Sequence, residues 1–347
     1  MQLTAGDAQT MATEVLTAFG LGAHQAQVTA RALVLAELWG VGSHGLLRMP
    51  HYLRRLDVGG YTTHEQLAVR SDNGPVVVYD GEGGLGHWQV WQAAETAVDR
   101  VREHGVSVVA VGNSGHCGAL GVFTLPALQA GQACLVFSNG PAVMPAWGGN
   151  TPLLSTSPFA VGIPDADGGA IIDMATSTVA RGKIAAHAST NTPLPPGWAL
   201  DRDGAPTTDP AAALHGMLAP MGGAKGFALA LVVELLTGGL VGPSLSRDVA
   251  DMFVPAQDRE PQRIAHLVIG LDTKGLDVFG DVAAAPARIG QLFDSVRTTG
   301  GRVPGERKRP LSPQDDSTLI TVNDSLADEL STLAAPRGID LAAWLRP

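Results

Sequence analysis

The order of hydrophobic periodicities along the chain is the feature that most restricts its fold. Apolar residues recur at helical spacing over residues 8–19, 26–39 and 46–56, so three helices are predicted before residue 60. From Val76 onward the pattern changes to short β-branched runs, interrupted by glycine-rich loops and by one further helix at 87–103. A helical first segment followed by alternating strands and helices is typical of a mixed α/β protein.

The predicted strands are rich in Val, Ile and Phe, which suit a pleated and buried surface. They are Val76–Tyr79, Val106–Val111, Ala133–Ser138, Phe159–Ile163 and Ala170–Asp173. Ser189 to Pro210 carries five prolines and is predicted to be an irregular surface excursion. After it, Phe227 to Leu240 is predicted to form a buried apolar helix. The region Ser325 to Trp344 is predicted to be helical, with a break at residues 336–338.

Charge and hydropathy exclude several classes of partner. Lysine and arginine total 23 against 33 aspartate and glutamate, a formal charge of −10, which repels nucleic-acid phosphates and gives no basic attachment to anionic membranes. The N-terminus has no secretory pattern, and the run Phe227 to Leu236 is well short of the ~20 apolar residues that span a bilayer. A small-molecule partner, no nucleic acid, no membrane and a cytoplasmic location are therefore predicted.

The two cysteines carry no predicted chemistry. Cys117 and Cys134 cannot form a disulfide framework, and neither belongs to a CxxC or Cys/His cluster. We expect both to be buried small hydrophobes, and we expect no metal site.

One glycine motif invites a dinucleotide interpretation. Gly81-x-Gly83-x-x-Gly86 lies between a predicted strand and a predicted helix, as in a Rossmann phosphate loop. Such a unit also needs an acidic residue after its second strand to bind the ribose hydroxyls, and this chain has Gly112-Asn113-Ser114 there. A glycine-rich turn of tight backbone geometry is therefore favoured.

The segment Ser43 to Tyr52 carries the strongest chemical signal. His44, Arg48 and either His51 or Tyr52 recur at helical spacing, so one helical face is expected to present them together. Arginine can hold a carboxylate by two parallel hydrogen bonds, and histidine can protonate an oxygen as hydride reaches the adjacent carbon. The combination fits reduction of a 2-oxo acid. The structural alternative is a helix capped by Ser43, with His44 and Arg48 merely solvated.

Two glycine-rich segments are candidates for binding phosphate or another anion. Gly112 to Gly121 has glycine at every third position, which lets the backbone approach a ligand closely. Met221 to Gly226 precedes the apolar helix, where free N–H groups and Lys225 can form an anion site. Ordinary turns and a surface lysine are the alternatives.

Seven motifs follow one another in order between residues 43 and 307. They are Ser43-His44-Gly45 with Arg48 and Tyr52, Gly115–Gly121, Pro145–Asn150, Ser155–Pro158, Asp173–Ser177 with Ala180–Lys183, Gly222–Gly226 and Pro304–Arg307. Together they resemble the malate/L-lactate dehydrogenase family, which includes L-sulfolactate, ureidoglycolate and diketogulonate dehydrogenases and the Δ1-piperideine-2-carboxylate reductases. The resemblance extends over nearly the whole chain.

The resemblance implies a non-Rossmann α/β fold, with a large mixed-sheet cofactor domain and a helical subdomain built largely from the N-terminal segment. It also implies NAD or NADP as cofactor and a homodimer. The expected segments are an N-terminal helical subdomain (1–70), an α/β NAD(P)-binding domain (71–215), the apolar helix with a smaller subdomain (216–300) and a C-terminal segment that returns to the cofactor site (301–347).

The resemblance also assigns roles to residues. His44 is the expected proton donor, Ser43 orients it, and Lys183 is the third expected catalytic residue. The residues expected to bind the substrate are Arg48, Tyr52 and Thr156. Of these, Arg48 and Thr156 are expected to hold the substrate carboxylate. Those expected along the cofactor are His116, Cys117, Gly118, Ala119, Leu120, Asp173, Met174, Ala175, Lys225, Gly305, Glu306 and Arg307.

Two departures from the family pattern bear on the substrate. Ser157 stands where the family often has asparagine, so a hydroxyl replaces an amide near the carboxylate. Lys183 stands where the imine-reducing branch has aspartate, which favours a carbonyl substrate. The expected reaction is hydride transfer between NAD(P) and C2 of a small 2-hydroxy/2-oxo acid. Reduction of a cyclic 2-imino acid is the alternative, and a non-catalytic dinucleotide-binding protein is the second alternative.

The choice between NAD and NADP depends on which residues meet the extra ribose phosphate of NADP. Arg307, Lys308 and Arg309 form the densest basic cluster, and they follow the turn expected beside the cofactor. A solvated basic face is the alternative, and Glu306 could bind the free hydroxyls of NAD. NAD is favoured, since the branch that carries Lys183 uses it more often.

Overall fold

The computed structural model describes residues 1–278, 285–312 and 314–344. Its helices are α1 (Ala5–Ala18), α2 (Ala23–Leu38), α3 (Met49–Val58), α4 (Gly86–His104), α5 (Leu125–Gln129), α6 (Arg181–Ser189), α7 (Pro210–Leu214), α8 (Ala224–Glu234), α9 (Ala285–Thr298) and α10 (Asp324–Ala334). Its strands are β1 (Gln2–Thr4), β2 (Ala68–Asn73), β3 (Val76–Asp80), β4 (Val106–Ser114), β5 (Ala133–Ser138), β6 (Met144–Pro145), β7 (Pro152–Leu154), β8 (Phe159–Ile163), β9 (Ala170–Met174), β10 (Ala199–Leu200), β11 (Pro206–Thr207), β12 (Met217–Leu218), β13 (Ile264–Leu271) and β14 (Leu319–Thr321).

A seven-stranded mixed sheet carries the fold, with strand order β2-β3-β4-β13-β5-β8-β9. Within it β3 and β4 run parallel and are joined by α4, whereas every other neighbouring pair is antiparallel. The prediction of a mixed α/β protein is confirmed. Strand β13 inserts between β4 and β5, so a segment from late in the sequence completes the centre of the sheet.

The N-terminal helices and the sheet share one hydrophobic core. Side chains that contribute to it include Leu33 of α2, Met49 of α3, Trp88 of α4 and Val109 of β4. A second, smaller core gathers residues from β6 to α8, namely Met144, Leu154, Val179, Ile184, Leu194, Ala199, Ala213, Leu218 and Ala230. The division of the chain into four segments stays a prediction.

The C-terminal segment packs against the larger core. Strand β14 pairs antiparallel with β1, which brings Thr321 opposite Gln2. Before it, the turn at Gly305 lies directly against the backbone of Ile171 in β9, and Lys308 reaches Asp173 at the end of the same strand. Within the described ranges, no helix is long and apolar enough to cross a membrane.

Most predicted elements are present, and four expectations need correction. The predicted helix 46–56 begins as an α-helix only at Met49. The predicted excursion 189–210 contains the short strands β10 and β11. Strand β2 and helices α6 and α9 were not predicted. Strand β13 was not predicted either, because it is buried on both faces and shows no alternation that marks one solvated side.

The apolar helix predicted at residues 227–240 differs from the expectation in its burial. The prediction of a buried helix at 227–240 is wrong for this chain, because α8 and the π turn that follows it expose apolar side chains. Leu235 is 56% exposed and Leu240 is 77% exposed, with Leu231 and Val232 also partly in solvent. Apolar composition alone could not distinguish a helix buried in its own chain from one that offers an apolar face to a partner. Cys117 and Cys134 are free and buried, as predicted.

Candidate active site

Residues Gly42–Arg48 form two short 3₁₀ turns and not the predicted continuous helix. Gly42–His44 is the first turn, Gly45 interrupts it with ψ near −143°, and Leu46–Arg48 is the second. The carboxylate of Glu37 in α2 accepts the backbone N–H of Leu46 at 2.8 Å. This bond holds the break in place, so His44 and Arg48 are brought together by two short turns that a partly buried carboxylate fixes, and not by helical spacing.

His44 is held by its neighbour in sequence. Its Nδ1 lies 3.0 Å from the hydroxyl of Ser43, and its ring stacks on His116 with centroids 5.9 Å apart. Burial lowers the pKa of His44, the nearby Arg48 cation lowers it further, and the Asp173 carboxylate opposes both. The ring is therefore neutral at pH 7, and Ser43 fixes one of its nitrogens.

Arg48 is held by one hydrogen bond and one cation–π contact. Its Nε donates to the carbonyl oxygen of Ser43 at 2.6 Å, and its Cζ lies 4.7 Å from the ring centre of Phe253. The start of α6 is close by, since a Cβ on Gly182 would lie 3.9 Å from an Arg48 nitrogen. None of the carboxylates in the described part of the chain forms an ion pair with Arg48. The guanidinium nitrogens beyond Nε are left for a ligand.

The tautomer of His116 follows from its two partners. Its Nδ1 accepts the backbone N–H of Gly118 at 3.3 Å and lies 2.8 Å from the Tyr52 hydroxyl. An amide N–H can only donate, so Nδ1 is the acceptor and the Tyr52 hydroxyl donates to it. Burial lowers the pKa of His116 well below its usual value and raises that of Tyr52 well above. His116 is neutral, with its proton on Nε2.

A cavity of about 390 Å³ collects most of the predicted site residues. From the predicted set it is lined by Ser43, His44, Arg48, His116, Cys117, Gly118, Ala119, Leu120, Thr156, Asp173, Met174, Ala175 and Lys183. Asp173 accepts the backbone N–H of Gly121 at 3.0 Å and lies 3.7 Å from Lys308 Nζ. The backbone of Thr156 is tied to Thr176, whose N–H and hydroxyl both donate to its carbonyl oxygen at 2.9 Å.

Five predicted residues do not line this cavity. Tyr52 is buried behind His116, and Lys225 lies exposed at the start of α8. The turn Gly305–Arg307 lies beside β9 but outside the cavity wall, and Glu306 pairs with Arg297 at 3.0 Å. From the same turn Lys308 does line the cavity.

Several lining residues were missed by the sequence reasoning. They include Ser138 at the end of β5, Asn139 and Gly140 just after it, Arg181 at the start of α6, and Met252 and Phe253 in the loop before β13. Asn139 could have been found from its place at the end of a predicted strand. Met252 and Phe253 gave no signal, since an apolar pair in a loop does not indicate which site it covers.

The loop Gly81-x-Gly83-x-x-Gly86 lies apart from the cavity. None of its residues lines the cavity, and the amide of Gln89 donates to the carbonyl oxygen of Gly81 at 2.7 Å. A Cβ on Gly86 would meet the carbonyl oxygen of Gly115, so the start of α4 is covered by backbone. These contacts agree with a tight structural turn.

The sequence matches the family model for malate/L-lactate dehydrogenase over residues 3–331. The chain belongs to the malate/L-lactate dehydrogenase family. Its similarity to the (2R)-3-sulfolactate dehydrogenase (NADP(+)) of Chromohalobacter salexigens is 37% identity over 333 residues, covering 95% of this chain and 97% of that protein. The Δ1-pyrroline-2-carboxylate reductase of Ancylobacter novellus is 35% identical over 340 residues, covering 97% of this chain and 98% of that protein.

The structural comparison agrees with the family assignment. The sulfolactate dehydrogenase of Methanocaldococcus jannaschii superposes with a TM-score of 0.86 at 27% identity, and each chain is covered completely. This malate/L-lactate dehydrogenase family member is accordingly an oxidoreductase that uses NAD or NADP.

The cavity of this family member suits a nicotinamide cofactor. Gly118 has φ of +76°, and a Cβ there would lie 2.7 Å from His87 Nε2, so this stretch of the wall keeps bare backbone. Met174 and Met252 supply apolar surface for a ring, whereas Lys308 supplies a cation for phosphate. The donor set therefore fits NAD(P).

Proposed function

We propose that this chain catalyses reversible, NAD(P)-linked hydride transfer at the 2-carbon of a small 2-hydroxy/2-oxo acid. One observation carries the proposal: His44, Arg48 and the glycine-containing segment 116–120 line the same cavity. A proton donor, a carboxylate clamp and an exposed backbone surface are what such a transfer requires. The relatives named as sulfolactate dehydrogenases support a 2-hydroxy acid.

His44 moves the proton in this proposal. With Nδ1 bonded to the Ser43 hydroxyl, Nε2 is left to exchange a proton with the 2-oxygen. In oxidation, neutral His44 accepts the hydroxyl proton, and its lowered pKa keeps it ready to do so. In reduction, His44 must be protonated first. A substrate carboxylate on Arg48 offsets the cation that lowers the pKa of His44, which favours that protonation.

We assign Arg48 as the residue that binds the substrate carboxylate, and Thr156 as the second residue that binds the same carboxylate. Arg48 suits the role because its Nε is already bonded to Ser43 and its terminal nitrogens carry no ion pair in the described ranges. The fixed ring of Phe253 reduces the conformational entropy that the guanidinium loses on binding. Tyr52 acts through His116 and does not touch the substrate in this assignment.

Bound NAD(P) supplies or accepts the hydride. We assign its binding to the wall formed by His116–Leu120 and Asp173–Ala175, with Lys308 from the C-terminal segment. Gly305–Arg307 position Lys308 by resting against β9. A cofactor in this cavity, and not at Gly81–Gly86, makes the binding arrangement non-Rossmann.

Lys183 distinguishes the two substrate classes. As a cation that lines the cavity, it can assist a carbonyl oxygen that gains charge during reduction. A cyclic 2-imine is protonated when it is reduced, so a neighbouring cation opposes it. Because one relative is named as a Δ1-pyrroline-2-carboxylate reductase, cyclic 2-imino acids are the second candidate class of substrate.

The test follows NADH and NADPH absorbance with matched panels of 2-oxo acids and cyclic 2-imino acids. Turnover of 2-oxo acids is expected, with imino acids at least tenfold poorer in kcat/KM. Faster imine reduction would support the second candidate. If the chain binds NADH but turns over no substrate of either panel, the result would contradict the proposal and support a non-catalytic protein.

Two variants test the choice between NAD and NADP. Lys308 lines the cavity and Arg307 does not, so Lys308→Ala should change the ratio of kcat/KM for NADH and NADPH, with Arg307→Ala as the matched control. The proposed preference is for NAD. A strong preference for NADPH that disappears in Lys308→Ala and is kept in Arg307→Ala would place the ribose phosphate at Lys308 and contradict the proposed preference for NAD.

We also propose that the chain is a homodimer, as its family resemblance implies. The exposed apolar side chains of α8 and its π turn support this assembly, since a surface of that kind gains from a second copy. Light scattering over a dilution series should give a dimer, and Leu235→Lys should shift it toward monomer. A monomer at every concentration would contradict the proposal. The predicted cytoplasmic location is retained as a prediction.

A further inference from the structure

Phe253 stands at the mouth of the cavity. Its side chain lines the cavity and is still 39% exposed, whereas its neighbour Met252 lines the same wall and is almost fully buried. Phe253 belongs to neither of the two hydrophobic cores of the described chain. Burial in a core therefore does not hold this ring, and its contacts with residues of the site do.

Three side chains hold the ring of Phe253. The Cζ of Arg48 lies 4.7 Å from the ring centre, and the Cζ of Arg181 lies 5.5 Å from it. The imidazole of His51 makes an edge contact, with 5.2 Å between centroids. Because a cation is attracted to the face of an aromatic ring, the two guanidiniums together restrict where the ring can lie.

Arg181 also holds the backbone that carries this ring. Its Nη1 lies 2.8 Å from Oδ2 of Asp251, and Oδ1 of Asp251 accepts the backbone N–H of Phe253 at 2.9 Å. The backbone N–H of Asp251 donates in turn to the side-chain oxygen of Gln257 at 2.6 Å. The ion pair therefore ties the start of α6 to the loop before β13, and the two segments form one wall of the cavity.

Arg55 fixes the far end of the same loop. Its buried guanidinium donates to the carbonyl oxygens of Gln257 and Glu260 and lies 3.7 Å from Asp258. Helix α3, which carries Arg55, begins directly after Arg48. The loop is thus anchored at both ends to segments of the site, so an incoming molecule meets a wall of fixed position.

The proposed function places the substrate beside this wall. A carboxylate that accepts hydrogen bonds of about 2.9 Å from Arg48 has its carbon about 4 Å from Cζ. Since the ring centre of Phe253 lies 4.7 Å from the same Cζ, it is within about 9 Å of that carbon. The 2-oxygen is assigned to His44, whose ring stacks on His116 and makes no ring contact with Phe253. The remaining substituent of C2 therefore points away from His44.

We propose that this substituent points toward Phe253, and that the Phe253 ring limits the size of the substrate side chain. Phe253 is then a specificity-determining residue that favours 2-oxo acids with short side chains over those with branched or aromatic ones. Arg181 is a positioning residue that acts through Asp251 and through the ring. The substrate class rests on the proposed function, whereas the size limit itself can be tested by binding alone.

The turnover test follows oxidation of NADH and NADPH with pyruvate, 2-oxobutyrate, 4-methyl-2-oxopentanoate and phenylpyruvate. Wild-type kcat/KM should be at least about 10-fold lower for each bulky acid than for 2-oxobutyrate, the smaller end of the discrimination that a shaped pocket gives. Phe253→Ala should raise kcat/KM for phenylpyruvate about 10-fold and lower it for pyruvate, and Phe253→Tyr should keep the wild-type order. Val254→Ala is the matched control, since Val254 is also 39% exposed but does not line the cavity.

The binding test uses propanoate and 3-phenylpropanoate, which share the carboxylate and differ in the phenyl group. Calorimetry is carried out on the enzyme saturated with NAD⁺, or with NADP⁺ where that binds more tightly. The wild type should bind 3-phenylpropanoate at least about 10-fold more weakly, and Phe253→Ala should remove the difference. A size limit in binding that Phe253→Ala removes, without turnover of any 2-oxo acid, would retain the role of Phe253 and reject the proposed function.

Arg181 is tested by the discrimination between pyruvate and phenylpyruvate. Arg181→Gln should reduce this ratio of kcat/KM by a smaller factor than Phe253→Ala does, and Arg181→Lys, which keeps a cation for Asp251, should retain part of it. Arg247→Gln, which removes an exposed arginine outside the cavity, is the control. An Arg181→Gln variant that lowers kcat/KM equally for both acids would reject the positioning role.

Two results would overturn the role of Phe253. One is a wild type that binds 3-phenylpropanoate as tightly as propanoate, or reduces phenylpyruvate as fast as pyruvate. The other is a Phe253→Ala variant that changes kcat/KM by the same factor for every acid of the series.

Discussion

The hydroxyl of Tyr52 donates a 2.8 Å hydrogen bond to Nδ1 of His116. Tyr52 is fully buried and His116 is partly buried, and the same nitrogen also accepts the N–H of Gly118, so the imidazole has one orientation and one tautomer. The Tyr52 ring also makes an edge-to-face contact with the buried imidazole of His87, at 4.9 Å between centroids. The proposed cofactor wall is thus held from behind by a phenol that does not reach the cavity.

Removing that hydroxyl should lower activity moderately. Tyr52→Phe loses one hydrogen bond, and with the Gly118 contact retained we expect kcat/KM to fall about 2- to 12-fold, the range of one net hydrogen bond. Steady-state kinetics measures the change. Tyr79→Phe, which removes a hydroxyl 3.1 Å from Thr96 and outside the cavity, is the matched control. Unchanged kinetics in Tyr52→Phe would show that Gly118 alone orients His116.

His44→Ala should be far more damaging. General acid–base catalysis by a positioned side chain contributes typically about 10²- to 10⁴-fold in rate, and loss of that order is expected in kcat with NADH affinity preserved. Ser43→Ala should lose less, because it removes the bond at Nδ1 and leaves the ring in place. Near-normal turnover in His44→Ala would contradict the role assigned to His44.

The pH dependence should reflect the lowered pKa of His44. Oxidation of a hydroxy acid needs the neutral ring, so its kcat/KM should stay high down to pH 6.5 and fall only as the pH drops through the lowered pKa. Asp173 opposes that lowering, so Asp173→Asn should move the acid limb to still lower pH. Asp316→Asn, a carboxyl outside the cavity, should leave the profile unmoved. An acid limb above pH 6.5 would exclude His44 as the titrating base.

Arg55 should be a strong determinant of stability. Its side chain is fully buried and bonds two backbone carbonyls of the loop that carries Phe253. Arg55→Met leaves those carbonyls and Asp258 without their cation, so the free energy of unfolding should fall by about 2–4 kcal/mol. Urea denaturation measures this free energy of unfolding. The neighbouring Arg54→Met, which loses an exposed pair with Glu329, should cost about 0–1 kcal/mol. Equal effects in the two variants would show that burial of Arg55 adds nothing.

The sequence by itself determined the elements whose signal is local. Alternation and helical spacing place α1, α2, α4 and five strands of the sheet within a few residues of their observed ends, because each buries one face against the same core. The seven motifs between residues 43 and 307 identified the family and 13 of the 28 residues that line the cavity.

Tertiary structure decided what depends on contacts between distant segments. Strand β13 enters the sheet between β4 and β5, and no local sequence pattern indicates which strands it pairs with. His44 and Arg48 were predicted on one helix, but the partly buried carboxylate of Glu37 holds their segment in two short turns. Phe253 contacts Arg48 from a loop that Arg55 anchors some 200 residues away along the chain. Side-chain charge and burial of this kind act through space, so periodicity along the chain cannot encode them.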